Sequence, residues 1–420
     1  MIKAITGTKD ILSSDIPHWK YLEKNVERIF SNYNYKEIRT PIFEETALFA
    51  RGIGEETDIV GKEMYTFKDR SDTSLTLKPE MTAAVVRAYI EHSLGVQQPL
   101  VKLFYLSPMF RQERPQAGRF RQFHQFGAEA IGSKSPLLDA EMIQMSYEIL
   151  KSLGLKNLTV KINSLGTPET RENYKKLLKN FLEDKKNTLS EDSRRRFETN
   201  ILRIFDSKVE SDQKIIKDAP KLVDHLDEES KADFEVVKDQ LAKSNIPFEI
   251  EPKLVRGLDY YTKLTFEIDS GSVGAQTALC GGGRYDLLIE TLGGKPTPAT
   301  GFAAGIERIL LACENEMSFT LHESAIDVYL IRIDNELDSV VNELAGKLRK
   351  ENLSVDFDYL QRSVKAQMRE ANKLNAKYVL FIGGDEYKQG LMNLKNMSTG
   401  IEETIPLTKI EELKSRIKNL

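Results

Sequence analysis

Apolar residues recur at helical spacing near the start of the chain. Between positions 17 and 30, Trp19, Leu22, Val26, Ile29 and Phe30 are separated by charged and polar residues, which predicts an amphipathic helix with one buried stripe. A strand pattern follows at 35–43, interrupted by Pro41, which has no N–H for a ladder and so belongs at an edge or a bulge. Positions 64–67 and 75–77 read as a hairpin, after which 79–87 opens a helix with Pro79 in its first turn. A helix at 139–153 and a strand at 158–163 lead to the punctuated break Ser164-Leu165-Gly166-Thr167-Pro168. From 169 to 244 the pattern is helical and charge-rich, with Lys185-Lys186, Arg194-Arg195-Arg196 and Asp227-Glu228-Glu229 as solvated helix faces. Strands resume at 248–255 and 264–269, and strand, turn and helix recur at 299–312. Beyond a short polar linker at 315–324, apolar strands at 326–333, 355–359 and 378–382 alternate with helices at 336–350 and 363–374. That alternation predicts an α/β domain with a mainly parallel sheet.

The stretch from Lys102 to Gly132 stands out within this pattern as a long hairpin whose strands carry charge. Alternation puts Arg111 and Glu113 on one face of the outgoing arm. On the return arm it groups Arg119, Arg121, Phe123, Gln125 and Glu129 against Phe120, His124, Phe126 and Ala128. The turn, Arg114-Pro115-Gln116-Ala117-Gly118, has the residues that preset or permit turn dihedrals. A mostly ionic strand face is either a solvated surface or a binding surface. Arginines for an anion, a ring for stacking and acceptors for a cation or amide form a mixture that suits a nucleotide together with an amino acid.

Composition narrows the chemistry. The 420 residues are 40% hydrophobic and 30% charged, which is ordinary for a soluble protein of two or three domains. Two cysteines, Cys280 and Cys313, and five scattered histidines make neither a disulfide framework nor a zinc-ligand cluster, so no metal-ligating residues are assigned. The N-terminal segment has no signal-peptide core and no apolar run approaches the roughly 18 residues of a membrane span, which predicts a cytoplasmic protein without a membrane partner. A net charge of −4 gives no global attraction to nucleic acid, so any RNA contact must use local basic patches. GxxxxGK[ST] is absent, which excludes a P-loop. Gly281-Gly282-Gly283, placed between a strand and a helix at 286–292, is read as either a tight turn or a place where backbone approaches a ligand.

FRQER, a short loop and then GRFRQFHQFGAE resemble motif 2 of the class II aminoacyl-tRNA synthetases, in the form carried by the histidyl-tRNA synthetase family. LVRGLDYY (254–261) and ALCGGGRYD (278–286) resemble further signatures of that family, GFAAGIER (301–308) resembles motif 3, and 35–43 resembles the dimer-forming motif 1. The resemblance implies an α/β fold class: an antiparallel-sheet α+β catalytic domain at 1–168 and 245–323, a helical insertion at 169–244 that approaches the tRNA acceptor stem, and an α/β anticodon-binding domain at 324–420. It implies activation of L-histidine by ATP with Mg2+ and transfer to tRNA(His) by a homodimer. Arg111 and Arg256 then take the catalytic roles at the α-phosphate. Arg111, Glu113, Arg119, Phe123 and Arg308 hold ATP, with Phe123 on the adenine and Glu113 near its amino group. Glu80, Thr82, Gln125, Glu129, Tyr260, Tyr261 and Tyr285 hold histidine, with Glu80, Thr82 and Gln125 at its amino group and Glu129 and Tyr261 at its imidazole. Glu80 also has a purely structural reading, as a first-turn acid favoured by the helix dipole. Two rivals stand beside this: a histidine-binding regulatory paralogue that charges no tRNA, which generally lacks the arginine block and the C-terminal domain, and an ATP-binding RNA-interaction protein without transfer activity.

Overall fold

The structure, a computed structural model, describes residues 1–54, 57–116, 118–254, 258, 260–274, 277–318 and 325–412. Two compact units divide the chain, Met1–Phe319 and Thr320–Leu420. The strands of the first are β1 (Lys36–Glu37), β2 (Phe43–Glu45), β3 (Tyr65–Lys68), β4 (Ser74–Leu77), β5 (Val101–Phe110), β6 (Gln122–Ile131), β7 (Leu158–Ser164), β8 (Phe248–Ile250), β9 (Thr262–Ser270), β10 (Ala278–Arg284) and β11 (Ala299–Gly305). Among the described residues, eight of them form one sheet in the order β1-β5-β6-β11-β10-β9-β7-β8. Its pairs are antiparallel except at the two edges, where β1 lies parallel to β5 and β8 parallel to β7.

One face of this sheet is sealed by helices. The helix Ile16–Asn32 buries the stripe the spacing predicts, Trp19, Leu22, Val26, Ile29 and Phe30. Phe30 stacks on Phe104 of β5 at 4.7 Å between ring centroids. Pro136–Ser152 and Ile306–Asn315 join the same core, which takes the even-numbered residues Phe126, Ala128 and Ala130 of β6. Each fully buried side chain of the size of Leu22, Val26, Ile29 or Phe30 contributes about 1.5–3 kcal/mol. With one face of β6 committed to the core, its odd-numbered residues are presented on the other.

Several expected boundaries shift for physical reasons. The single strand expected at 35–43 is two strands in different sheets: β1 lies at the edge of the large sheet, and β2 belongs to a small one ordered β2-β4-β3. Pro41 falls between them, where no ladder N–H is needed. The helix expected from Pro79 begins instead at Thr82 and runs to Glu91, because the Glu80 carboxylate caps it by accepting from Thr82 N (2.8 Å) and Ala83 N (2.9 Å). Gly281, Gly282 and Gly283 lie inside β10, so the tight-turn reading fails. The charge-rich segment folds as Pro168–Glu183, Glu191–Thr199, Glu210–Ile216 and Glu228–Lys243 with short 3-10 turns between. Its last helix packs Phe234, Val237 and Leu241 into the main core.

The second unit contains β12 (Val328–Arg332), β13 (Val355–Phe357), β14 (Tyr378–Ile382), β15 (Leu391–Asn396) and β16 (Glu402–Pro406), in the order β13-β12-β14-β15-β16. The first three are mutually parallel and the last two pair antiparallel, so the sheet is mixed rather than mainly parallel. The helices Asp338–Lys350 and Val364–Lys373 cover opposite faces of it.

Candidate active site

The exposed face of the large sheet has a floor of small residues. Across adjacent strands the register aligns Tyr105, Gly127, Ala303, Gly281 and Glu267 in one row, and Glu129, Gly301, Gly283 and Thr265 in the next. The glycines make space that larger residues would fill. A Cβ at Gly301 would fall on the Glu129 carboxylate, and one at Gly127 would strike the Tyr105 hydroxyl and the Phe302 carbonyl. Side chains from the flanking strands, Glu267 on one side and Phe123, Gln125 and Glu129 on the other, wall this trough.

At one end the trough closes over Glu129, only 1% exposed. Its Oε1 accepts from Thr82 Oγ1 at 2.8 Å and from Tyr105 OH at 3.5 Å, and its Oε2 accepts from Tyr285 OH. Burial pushes the proton affinity of Glu129 up to a pKa of about 8, against the pull of the Tyr285 and Thr82 hydroxyls. Glu80, also buried, adds a repelling charge nearby and is itself raised by desolvation. The Tyr260 ring lies 4.8 Å from that of Tyr261 and 5.7 Å from that of Tyr285. Two carboxylates and a set of hydroxyls around a small space form a receptor for a ligand that donates hydrogen bonds and carries an ammonium group.

The other end opens as a cavity of about 290 Å3 lined by Arg111, Glu113, Arg119, Phe123, Gln125, Glu267 and Arg308, among others. Arg111 Nε donates to Pro79 O at 3.0 Å, and its guanidinium lies 5.4 Å from the centre of the Phe123 ring. Arg119 pairs with Glu113 at 2.9 Å. Arg308, from the helix that follows β11, donates to Ala278 O at 2.8 Å and Gly118 O at 3.3 Å, which fixes its fork. Burial and then the neighbouring Arg119 lower its proton affinity, so the cations crowd one another. Crowded, preoriented arginines over a glycine floor are arranged for a polyanion, and Phe123 offers a ring for stacking.

Glu80, Thr82, Glu129, Tyr260, Tyr261 and Tyr285 thus gather at the closed end, and Arg111, Glu113, Arg119, Phe123, Gln125 and Arg308 at the open end. Arg256 lies outside the described residues. Strand parity holds along β6 but not beyond it. Residues 111–121 lie between the two strands, and there Phe120 lines the cavity although parity grouped it with His124. Arg121 instead braces the loop, donating from Nε to Glu113 O at 3.3 Å. Glu129 is buried, which removes the solvated reading of its face. Tyr105 and Glu267 are absent from the expected set. The signal for Tyr105 is an aromatic directly opposite Gly127, and for Glu267 a carboxylate in the apolar strand Leu264-Thr265-Phe266-Glu267-Ile268.

Comparison with known proteins gives the same picture at the level of sequence. The profile described as histidyl-tRNA synthetase matches residues 7–309, and one described as an anticodon binding domain matches 327–420. A histidine–tRNA ligase of Geobacillus sp. (strain WCH70) is 48% identical over 415 residues, 98% of each chain. One from Caldanaerobacter subterraneus subsp. tengcongensis is 48% identical over the full length of both. The crystal structure of apo S. aureus histidyl-tRNA synthetase superposes with a TM-score of 0.83 at 42% identity, covering 99% of this chain and 100% of that one.

Proposed function

The chain belongs to the histidyl-tRNA synthetase family, and from that premise we propose how its site divides the work of charging tRNA with histidine. The reaction activates histidine and transfers it to tRNA. In the first step an oxygen of the histidine carboxylate bonds to the α-phosphorus of ATP while the bond from that phosphorus to the bridging oxygen breaks and pyrophosphate departs. In the second, a ribose hydroxyl of the terminal adenosine of tRNA(His) attacks the activated carbonyl and AMP leaves. Neither step needs a protein nucleophile; the site supplies alignment and positive charge.

Glu129 and Tyr261 hold the imidazole, with Tyr285, Tyr260 and Tyr105 around it, and the ammonium group is met by Glu80 and Thr82 from the closed end and by Gln125 from the open end. Arg111 and Arg256 stabilise the charge developing on the α-phosphate, Arg119 and Arg308 hold the outer phosphates, and Phe123 stacks on adenine with Glu113 near its amino group. The cavity suits ATP in its glycine floor and its arginines. Mg2+ fits less as a caged ion, since no cluster of three acidic, His or Cys ligands occurs among the described residues. Bound together with ATP, it would supply charge neutralisation at the phosphates, and Glu267, which lines the cavity, is the carboxylate that would lie toward it. The observation that carries this assignment is the buried Glu129 bearing three hydroxyl donors at the end of a trough that opens onto the arginines.

The domain roles follow the same reading: catalysis from 1–168 and 245–323, acceptor-stem contact from 169–244, and anticodon binding from 324–420. A homodimer using 35–43 is supported by the exposed Phe43 and Phe67 on the small sheet and by Ile42 just before it. A cytoplasmic location accords with the finding that no helix among the described residues is long and apolar enough to cross a membrane. The regulatory-paralogue reading is not favoured, because full-length relatives at 48% identity are ligases. Histidine-dependent exchange of pyrophosphate into ATP tests the activation step, and Arg256→Ala should abolish it without changing the melting temperature. Exchange near the wild-type rate in that variant would remove Arg256 from the reaction.

A further inference from the structure

The second unit displays one aromatic ring in an unusual way. Tyr359, just past the carboxyl end of β13, is 65% exposed, and the next residue, Leu360, is 72% exposed. The tyrosine is nevertheless held in place. Its ring packs on Phe357 at 4.2 Å between centroids, tilted by 34°. Beneath Phe357 lies the Arg349 guanidinium, 5.8 Å from the ring centre and fixed by donating from Nε (3.1 Å) and Nη2 (2.9 Å) to Val355 O. The loop that follows is braced as well. Asp358, fully buried at its side chain, accepts from Arg362 N at 2.6 Å and from Arg362 Nε, while Arg362 also pairs with Glu370 at 3.0 Å. The buried Gln367 amide donates to Arg362 O at 2.9 Å and accepts from Arg332 N at 2.9 Å, which ties the loop to the end of β12.

A single exposed hydrophobic side chain is ordinary on a protein surface, but this one is backed by a second ring and followed by a braced loop, whose ordering costs conformational entropy, so the ring is presented in a fixed orientation. One ring and one leucine are too small for a protein interface, which needs about 800 Å2 from each partner. They match the size of a single nucleobase. Unpaired bases are recognised by stacking on aromatic side chains with cations nearby for the phosphates, and the exposed Arg349 supplies such a cation, whereas Arg362 is committed to Asp358 and Glu370. The position at the carboxyl end of a parallel strand, in the unit matched by the anticodon-binding profile, is where α/β sheets present ligand contacts.

We infer that Tyr359, backed by Phe357 and Arg349, is the platform on which one base of the anticodon loop of tRNA stacks, with Leu360 against the edge of that base. The inference rests on the reading that this chain charges tRNA(His). The full-length chain is tested with a tRNA(His) transcript and with transcripts carrying a single abasic nucleotide at each anticodon-loop position. Tyr359→Ala should raise the KM for tRNA about tenfold, the loss of one base–aromatic stack. The pyrophosphate-exchange rate and the melting temperature should not change. Tyr359→Trp should restore the KM, because stacking needs a ring and not a hydroxyl. On the one abasic transcript that lacks the stacked base, Tyr359→Ala should cost nothing further. An unchanged KM overturns the inference. So does a KM penalty that persists on every abasic transcript, or one accompanied by lower exchange activity and melting temperature. Failure of the wild-type chain to charge tRNA would overturn the functional reading itself, and is seen in the control before any variant is made.

Discussion

The two ends of the trough share a sheet and a glycine floor, yet they use charge in opposite ways. At the closed end Glu129 and Glu80 are buried with hydroxyl and backbone donors, and no arginine or lysine hydrogen-bonds to either carboxylate among the described residues. At the open end Arg111, Arg119 and Arg308 are partly accessible, and carbonyl oxygens and Glu113 orient them. Buried neutral partners make a receptor that is costly to leave half-filled, which is how a site rejects analogues. Oriented cations stabilise charge wherever it develops, which is how a site accelerates transfer without choosing the amino acid. The physical division predicts that selectivity and rate separate experimentally.

Arg111→Ala offers the largest test of that separation. Loss of one preorganised donor to developing charge should lower the exchange kcat about 10²–10³-fold, while the Kd for histidine measured without ATP stays within about twofold. A matching loss of histidine affinity would show that the ends are coupled, through the Arg111 bond to Pro79 O beside Glu80. Gly301→Ala strikes the opposite end. Its Cβ would meet the Glu129 carboxylate and lie 2.6 Å from Ala128 O, so overpacking should cost about 1–3 kcal/mol of stability. Histidine affinity should fall more than ATP affinity, as calorimetric titration of each ligand would reveal.

Above about pH 8, where the Glu129 carboxylate is ionised, Glu129→Gln should weaken histidine binding by about 1.5–3 kcal/mol, the range for a hydrogen bond to a charged group, with ATP binding unchanged. The pH dependence sharpens this. Glu129 holds its proton to about pH 8 in the folded chain, against 4.5 as the ordinary value. Between those two pH values the native state keeps a proton that the unfolded chain has released, so this group's contribution to stability falls as pH rises from about 4.5 and levels off above about 8. Melting curves of Glu129→Gln should lack that component. Equal slopes for variant and wild type would show that the carboxylate is already ionised in the free protein.

Much of this site was legible in the sequence because β6 obeys strict alternation. Phe126, Ala128 and Ala130 seek the core, and that leaves Phe123, Gln125 and Glu129 to the other face. The fold of the first unit followed from similarly strong patterns, as in the stripe of the helix Ile16–Asn32. Four features were hidden for identifiable reasons. Glycines inside β10 look like a turn when no partner strand is visible. Tyr105 matters only through its register with Gly127, a relation between strands. β15 and β16 alternate weakly, and β16, Glu402-Glu403-Thr404-Ile405-Pro406, is a mostly exposed edge strand with little apolar signal. The arginine loop escaped parity because it is not strand.

The smallest effect distinguishes the hydroxyls around Glu129. Tyr285 OH donates to Oε2, whereas Tyr105 OH stands 3.5 Å from Oε1, at the limit of a hydrogen bond. If the carboxylate is held by donors in proportion to their geometry, Tyr105→Phe should change histidine affinity by less than about 0.5 kcal/mol and Tyr285→Phe by about 1.5–3 kcal/mol. Both substitutions remove a donor that favours the ionised carboxylate, so each should raise the proton affinity of Glu129, Tyr285→Phe more. That shift is measurable as the number of protons released when histidine binds near pH 8, in buffers of different ionisation enthalpy. Equal losses from the two variants would mean that Tyr105 moves onto the ligand when the site fills. The closed end would then be a pocket that rearranges around its amino acid rather than one built beforehand.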